Sequence, residues 1–170
     1  MFLKVLARDL AIVAATVLAW RLAAPLSAGT GAVSDVTGVL LGMLFGASAF
    51  LAHEWGHLLG ALASRSVIQP PAGLSSPFVF TFESRSNSRR QFLIMSVSGF
   101  VATAIALWVV YGLLGSELLA TRVARGAVVF LAFLTVVLEF PLVGYSLVAG
   151  RVPPLERADI AKPAQPAAAA

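Results

Sequence analysis

Five consecutive residues inside a hydrophobic run have the types and the spacing of a zinc hydrolase site. They are His53, Glu54, Trp55, Gly56 and His57, which read H-E-x-x-H. Residues four apart lie on the same face of an α-helix, so both imidazoles can reach one metal ion, with Glu54 beside them. The run around the motif is apolar enough for a membrane-spanning helix, where ionisable groups are rare outside functional sites. The motif therefore predicts a metal site within the membrane.

The chemistry expected of such a site is hydrolysis. Zinc hydrolases hold the ion with three protein ligands and leave a fourth position open to water. His53 and His57 supply two ligands, and Glu54 is the expected general base, which takes a proton from the attacking water and passes it to the leaving amine. In a soluble helix these residues could simply form a solvated face. In an apolar helix that alternative is weaker, because the groups would be costly without a partner.

The third ligand is sought by elimination. Both histidines are already used and the chain has no cysteine. Among the eight acidic residues, only Glu54 and Glu139 are placed inside the apolar segments rather than at segment ends or in loops. Glu139, just before Pro141, is therefore the predicted third metal ligand. The alternative is a protonated Glu139 hydrogen-bonded to a neighbouring helix.

The composition is that of a polytopic membrane protein. Of the 170 residues, 59% are hydrophobic and 12% are charged, whereas soluble domains have about 45–50% and about 25%. The absence of cysteine excludes disulfides and cysteine-ligated zinc. The net charge of +4 comes from basic residues scattered between apolar runs, a pattern typical of anchoring at lipid headgroups and not of nucleic-acid binding.

Four apolar segments stand out against the roughly 20 residues that a bilayer crossing needs. They run from Leu10 to Leu26, from Val36 to Ala63, from Phe92 to Leu114 and from Ala127 to Ala149. The predicted fold is an all-α polytopic membrane domain of about four transmembrane helices over 1–152, followed by a disordered Pro/Ala-rich cytoplasmic tail over 153–170. The first segment has a second interpretation as a cleaved signal peptide, because its start is basic and small residues follow it.

Basic residues orient the predicted topology. Nine of the twelve lie on one side of it, which the positive-inside rule assigns to the cytoplasm. Both termini would then be cytoplasmic, the metal motif would lie in the cytoplasmic half of segment two, and we expect an integral protein of the bacterial inner membrane. The nine are Lys4, Arg8, Arg65, Arg85, Arg89, Arg90, Arg151, Arg157 and Lys162.

The stretch between segments two and three is polar and contains a β-strand pattern. From Pro77 to Ser84, phenylalanines alternate with other residues, which predicts a short strand in a hairpin or small sheet at the cytoplasmic interface. Ser88 followed by Gln91 resembles a capping box that opens the third helix.

Small residues on segment two have two interpretations. Gly38, Gly42 and Gly46 form a doubled G-x-x-x-G pattern, which permits close helix packing. They indicate either tight packing within the bundle or a groove in which a substrate helix lies.

The HEWGH motif and the LLGALASR that follows it resemble the zinc-binding segment of the site-2 protease family of intramembrane zinc metalloproteases. The stretch 98–103 occupies the place of the family's G-P-x-x-N motif, but its proline and asparagine are absent. Gly150-Arg151-Val152 resembles the G-R-V after the family's Asp-Gly ligand motif, although Val148 stands where the aspartate is expected. Either Glu139 replaces that aspartate, or the third ligand is lost and the protein is impaired.

The resemblance, which covers roughly 36–152, implies a small family member without a PDZ domain. Its activity would be zinc-dependent hydrolysis of a peptide bond within or near a transmembrane segment of a single-span membrane protein, as in regulated intramembrane proteolysis. The partners would be that substrate and the lipid bilayer, with no nucleic acid and with the oligomeric state left open. The 78–83 strand would pair with the unwound substrate by edge addition. The alternatives are a proteolytically inactive relative that acts as a membrane scaffold or regulator, and a metal or proton transporter.

Overall fold

Apolar runs form five helices in the computed structural model, which describes residues 1–154. The helices are α1 (Phe2–Ala23), α2 (Ala32–Ala63), α3 (Arg89–Trp108), α4 (Leu119–Leu134) and α5 (Phe140–Ala149). A 3-10 turn, Ala24–Ala28, follows α1, and π-helical turns, Val109–Leu113 and Thr135–Glu139, follow α3 and α4. Two short strands, β1 (Ile68–Gln69) and β2 (Thr81–Phe82), lie between α2 and α3. Most of the tail predicted over 153–170 lies outside the described residues.

Three helical segments in the described part of the chain are long and apolar enough to cross a membrane. They are Ala32–Ala63, Arg89–Leu113 and Leu119–Ala149. Helix α1, which contains most of the first predicted span, falls short because it carries Lys4, Arg8, Asp9 and Arg21. The expected helical membrane protein with a small β-element is thus confirmed in outline, with three segments that qualify as spans.

The last span begins earlier than predicted. It starts at Leu119 rather than Ala127, so Arg125 lies inside the helix and not in the preceding loop. Its guanidinium donates hydrogen bonds to the carbonyl oxygens of Val110 at 2.9 Å and Leu114 at 2.7 Å. Those carbonyls lie at the end of the preceding span, Arg89–Leu113, and the last carbonyl groups of a helix have no partner within it. The charge therefore caps a neighbouring helix, which a pattern based on hydropathy alone does not show.

Glycines let α2 pack closely against α4. A Cβ atom at Gly42 would lie 2.5 Å from the Val123 side chain, and one at Gly46 would lie 2.6 Å from Ala127. Gly38 meets Leu119 in the same way, at 2.8 Å. The interpretation as tight bundle packing is confirmed. The interpretation as a substrate groove is wrong for this face, because α4 fills it.

Helix α1 packs against α2 near both ends. Toward its start, Val5 is fully buried against Leu58 and Val79, and farther along the Thr16 hydroxyl accepts a hydrogen bond from Ser48 at 3.0 Å. Trp20 then packs against Phe45 with ring centroids 5.7 Å apart. Helix α1 is therefore packed on the helix that carries the H-E-x-x-H motif.

The β-element is smaller than predicted. Only Thr81 and Phe82 of the 77–84 stretch are in a strand, which pairs antiparallel with β1 in the register Ile68 to Phe82 and Gln69 to Thr81. The alternation also breaks, because Val79 is buried while Phe78 is half exposed. Tertiary contact is the reason: Val79 packs on α1 and α2, which pulls the chain out of a regular strand.

Side chains hold the connection between α2 and α3 in place. Asn87 accepts a hydrogen bond from the Val67 amide at 2.7 Å and donates to the Val67 carbonyl at 2.8 Å. The predicted capping box of Ser88 and Gln91 is confirmed, and the Gln91 side chain also donates to the carbonyls of Ser64 and Arg65 after α2. The ends of α2 and α3 are therefore fixed relative to each other.

Candidate metal centre

Helix α2 presents His53 and His57 to α3 from successive turns. His53 is 2% exposed, and the two Nε2 atoms lie 3.0 Å apart. Room for the His57 ring depends on Gly99, where a Cβ atom would come within 2.2–2.5 Å of three ring atoms. Since α2 rises about 1.5 Å per residue, the two histidines lie about 15 and 9 Å before its end at Ala63.

Helix α3 orients both rings through their Nδ1 atoms. His53 Nδ1 lies 3.1 Å from the Gly99 carbonyl oxygen and 2.8 Å from the Thr103 hydroxyl oxygen, and His57 Nδ1 lies 3.0 Å from the Met95 carbonyl oxygen. A carbonyl oxygen only accepts, so both Nδ1 atoms carry the hydrogen in the neutral rings. The lone pairs are then on the Nε2 atoms, which is the arrangement of metal-ligating histidines.

Glu139 reaches the histidines from the last span. Its Oε1 lies 2.9 Å from His53 Nε2, and its Oε2 lies 3.2 Å from His57 Nε2. The π-helical turn Thr135–Glu139 ends two residues before Pro141, which cannot donate a helical hydrogen bond. π-helical turns are frequent at functional sites, and this one ends on the carboxylate. The three residues predicted as ligands are brought together and could hold a metal ion.

The donor set fits a small divalent cation. Two imidazole lone pairs and one carboxylate converge, and their ligand atoms all lie within 4.8 Å of one another. Zinc bonds of about 2.0–2.1 Å in a tetrahedral site separate neighbouring ligand atoms by roughly 3.3 Å. The separations of 2.9–3.2 Å here are close to that value. Without a positive charge between them these acceptors would repel one another, so the geometry fits a cation.

Glu54 lies beside the three converging residues. It is 8% exposed, and its carboxyl group lies beside the backbone N–H of Val79. That contact joins the acid on α2 to the segment that leads into β2. The acid of H-E-x-x-H is therefore held near the two imidazoles, where a general base is expected.

A cavity of about 1130 Å³ opens onto these side chains. Glu54, His57 and Glu139 all line it. The walls are largely apolar and come from the segment around the β-element and from α3 and α5. They include Pro77, Phe78, Phe80, Phe82, Phe92, Met95 and Leu142, with Gln69, Glu83 and Arg85 among the polar residues. The space is large enough for several residues of an extended peptide.

Two departures from the protease motifs have a structural counterpart. Val148, at the position expected for an aspartate ligand, is 92% exposed and faces away from the site, whereas Glu139 supplies the carboxylate. Thr103, at the position expected for asparagine, holds His53. Its spacing of four from Gly99 on α3 is the signal that would have indicated this role.

Sequence reasoning also missed Asp9, which it placed at a segment end. The residue is 3% exposed, and its carboxylate accepts a hydrogen bond from the indole nitrogen of Trp55, inside the H-E-x-x-H motif, at 2.8 Å. A short-range pattern could not pair residues 46 positions apart.

Comparison of the chain with protein-family models, with curated proteins and with solved structures gave no match.

Proposed function

We propose that the chain is an intramembrane zinc metalloprotease that cuts a peptide bond within or near a transmembrane segment of a single-span membrane protein. The observation that carries the proposal is the convergence of His53, His57 and Glu139 next to Glu54 in a helix apolar enough to span a membrane. The resemblance of HEWGH to the site-2 protease motif supports the same activity. A carboxylate ligand other than the expected aspartate then completes the site.

The residues divide the work of hydrolysis between them. Zinc, when bound to His53, His57 and Glu139, would polarise the scissile carbonyl and lower the pKa of water to about 7. Glu54 removes the proton from the attacking water and returns it to the leaving amine. The backbone N–H of Val79, which lies beside the Glu54 carboxyl group, orients that group for the transfer. The apolar walls of the cavity limit the access of bulk water.

The second edge of β2, which pairs with no strand among residues 1–154, supports substrate binding in an extended form. The Glu83 amide donates a hydrogen bond to the Val67 carbonyl, so these two residues form a hydrogen-bonded pair. Such pairs occur at every second position of an antiparallel ladder, so Gln69 and Thr81 form the next one in the observed register. The backbone groups of Phe80 and Phe82 then point to the opposite edge, beside the cavity. A substrate strand added there would have its carbonyl groups near Glu54.

This register identifies the substitution that tests strand addition. Proline at Val79 would remove the N–H that lies beside Glu54, and proline at Thr81 would break the β-element, so neither isolates substrate pairing. Phe80→Pro removes an amide from the second edge of β2, with Phe80→Leu as its control. Cleavage should fall in the proline variant only, with bound zinc unchanged in both; equal cleavage by the two variants would refute strand addition.

We propose four spans, with α1 as the fourth, and both termini in the cytoplasm of a bacterial cell. The supporting observation is that the start of α1, the end of α2 and the β-element lie together. This end is rich in basic residues, as the positive-inside rule requires of a cytoplasmic face. The opposite end contains the cluster of Ala24, Leu41 and Ala120.

Cleavage in liposomes tests the proposed activity. The probe is a tagged single-span protein whose Leu/Ala transmembrane helix carries a Gly-Ser pair in its cytoplasmic half. Wild type and Glu117→Gln, a matched control at an exposed acid, should cut it. Glu54→Gln should retain zinc and lose about 10²- to 10⁴-fold in rate, since that is what a general base contributes. Zinc-loaded wild type that leaves such probes intact would support the scaffold alternative, and ion flux without cutting would support a transporter.

A further inference from the structure

A buried polar cluster joins α1 to the motif helix and to the cavity wall. Asp9 is its centre, accepting hydrogen bonds from Arg8 Nε at 2.7 Å and from Trp55 Nε1 at 2.8 Å. Only 4% of the Asp9 side chain is exposed, compared with 23% for Arg8. A carboxylate buried to this extent is costly unless it is paired, so both donors are needed.

The same arginine also holds the segment that covers the site. Its NH1 atom donates to the carbonyl oxygen of Leu74 and, at 2.8 Å, to that of Ser76. Ser76 itself lines the cavity, together with Pro77, Phe78 and Phe80 that follow it. One guanidinium thus bonds to a buried acid with one nitrogen and to two backbone carbonyls with another, an arrangement that a lysine ammonium cannot reproduce.

Apolar packing fixes the next few residues. Val79 is fully buried against Val5 of α1 and Leu58 of α2. Its backbone N–H lies beside the Glu54 carboxyl group. The position of this segment therefore determines both the shape of the cavity and the orientation of the acid, and α1 holds it at two adjoining points.

We propose that Arg8 and Asp9, with Trp55, are positioning residues that hold the 74–80 segment against Glu54. The inference rests on the proposed protease function for its effect on rate, but its structural part does not. Loss of the cluster should leave the metal ligands in place, because α3 orients both imidazoles independently of α1. The effect expected is a slower reaction in a metal-loaded protein.

Hydrogen exchange of the 74–80 amides in liposomes tests the structural part without any substrate. Arg8→Gln and Asp9→Asn should speed exchange there about tenfold, the effect of losing hydrogen bonds to charged groups. Arg21→Gln, at an exposed arginine of the same helix, is the matched control and should leave this exchange unchanged. Unchanged exchange in both cluster variants would overturn the proposal, even if the protein proves to be an active protease.

Turnover of the single-span probe tests the catalytic part. Asp9→Asn, which removes the buried charge together with its pairing, should lower kcat about 10- to 100-fold through misplacement of Glu54, while bound zinc stays near the wild-type value. Arg8→Gln should lower kcat in the same way, but it should also lower Tm because it leaves the buried Asp9 carboxylate with one donor. Arg8→Lys should recover only part of the wild-type kcat. Trp55→Phe keeps an aromatic ring and removes the N–H, and its kcat should lie between those of wild type and Asp9→Asn. Full activity in Asp9→Asn, or a loss that merely follows Tm, would overturn the positioning role. If wild type cuts nothing but exchange responds as predicted, the proposed function fails and the cluster stands.

Discussion

Each histidine of the candidate site depends on α3 for its orientation. His53 is held by two oxygen atoms and His57 by one. The H-E-x-x-H spacing predicts that the two rings share a face, but it says nothing of what fixes their tautomers. The residues that fix the tautomers lie 38 to 50 positions farther along the chain, so a local sequence pattern cannot identify them.

Thr103 offers a direct test of that support. Thr103→Val keeps the shape of the side chain and removes the hydroxyl that meets His53 Nδ1. Loss of a hydrogen-bond partner of a metal-ligating histidine lowers metal affinity by about 10- to 100-fold. We expect a fall of about 10-fold in zinc affinity, because the Gly99 carbonyl still holds His53. Competition with a chromophoric chelator measures the affinity. Thr103→Ser retains the hydroxyl and should bind like wild type; an equal loss in both variants would contradict the role of the hydroxyl.

Gly99 tests the space that the His57 ring requires. Gly99→Ala would place a methyl group within 2.2–2.5 Å of the ring, so the imidazole must leave the Met95 carbonyl and its place at the site. We expect bound zinc to fall to less than about a tenth of the wild-type value, following the loss of one of three ligands. Gly144→Ala is the control, because a Cβ atom there meets nothing within 4 Å. Full zinc in Gly99→Ala, measured by mass spectrometry, would be inconsistent with the geometry.

Among the elements, the existence of the three apolar spans, one of which is the motif helix α2, follows from hydropathy alone. Glu139 was also identified from sequence, since it is a rare acid inside an apolar run. The π-helical turn that aims it and the early start of α4 could not be predicted, because both depend on contacts with α2 and α3. The shortened β2 strand has the same cause, since burial of Val79 outweighs a local alternation of side chains.

Close packing of α2 against α4 predicts opposite effects for two glycine substitutions. Alanine normally stabilises a helix relative to glycine by about 1 kcal/mol, so Gly144→Ala should raise the unfolding temperature slightly. Gly42→Ala puts a Cβ atom 2.5 Å from Val123 and should destabilise the protein by about 1–3 kcal/mol through overpacking. Thermal unfolding in detergent measures both. An unfolding temperature for Gly42→Ala at or above that of Gly144→Ala would show that the helices are not packed in this way.

For the whole molecule, the proposed topology places the site near the cytoplasmic face. The chain has no cysteine, so single-cysteine variants report accessibility without a background. Ser75→Cys should react with an impermeant maleimide only from the cytoplasmic side, and Thr30→Cys and Ser116→Cys only from the other. All three positions are exposed. Labelling of Thr30→Cys and Ser116→Cys on opposite sides would rule out the four-span arrangement.

The central claim is that two turns of α2 and the last span, Leu119–Ala149, share one zinc ion. The most direct test is the zinc content of protein purified in detergent, measured by mass spectrometry for wild type, Glu139→Gln and the exposed control Glu117→Gln. We predict about one zinc per chain in wild type and control. In Glu139→Gln we predict that zinc affinity falls on the order of 100-fold or more, because loss of a ligand should cost more than loss of a residue that only hydrogen-bonds to a ligand. Wild type free of metal after zinc loading, or Glu139→Gln that binds zinc as tightly as the control, would contradict the account.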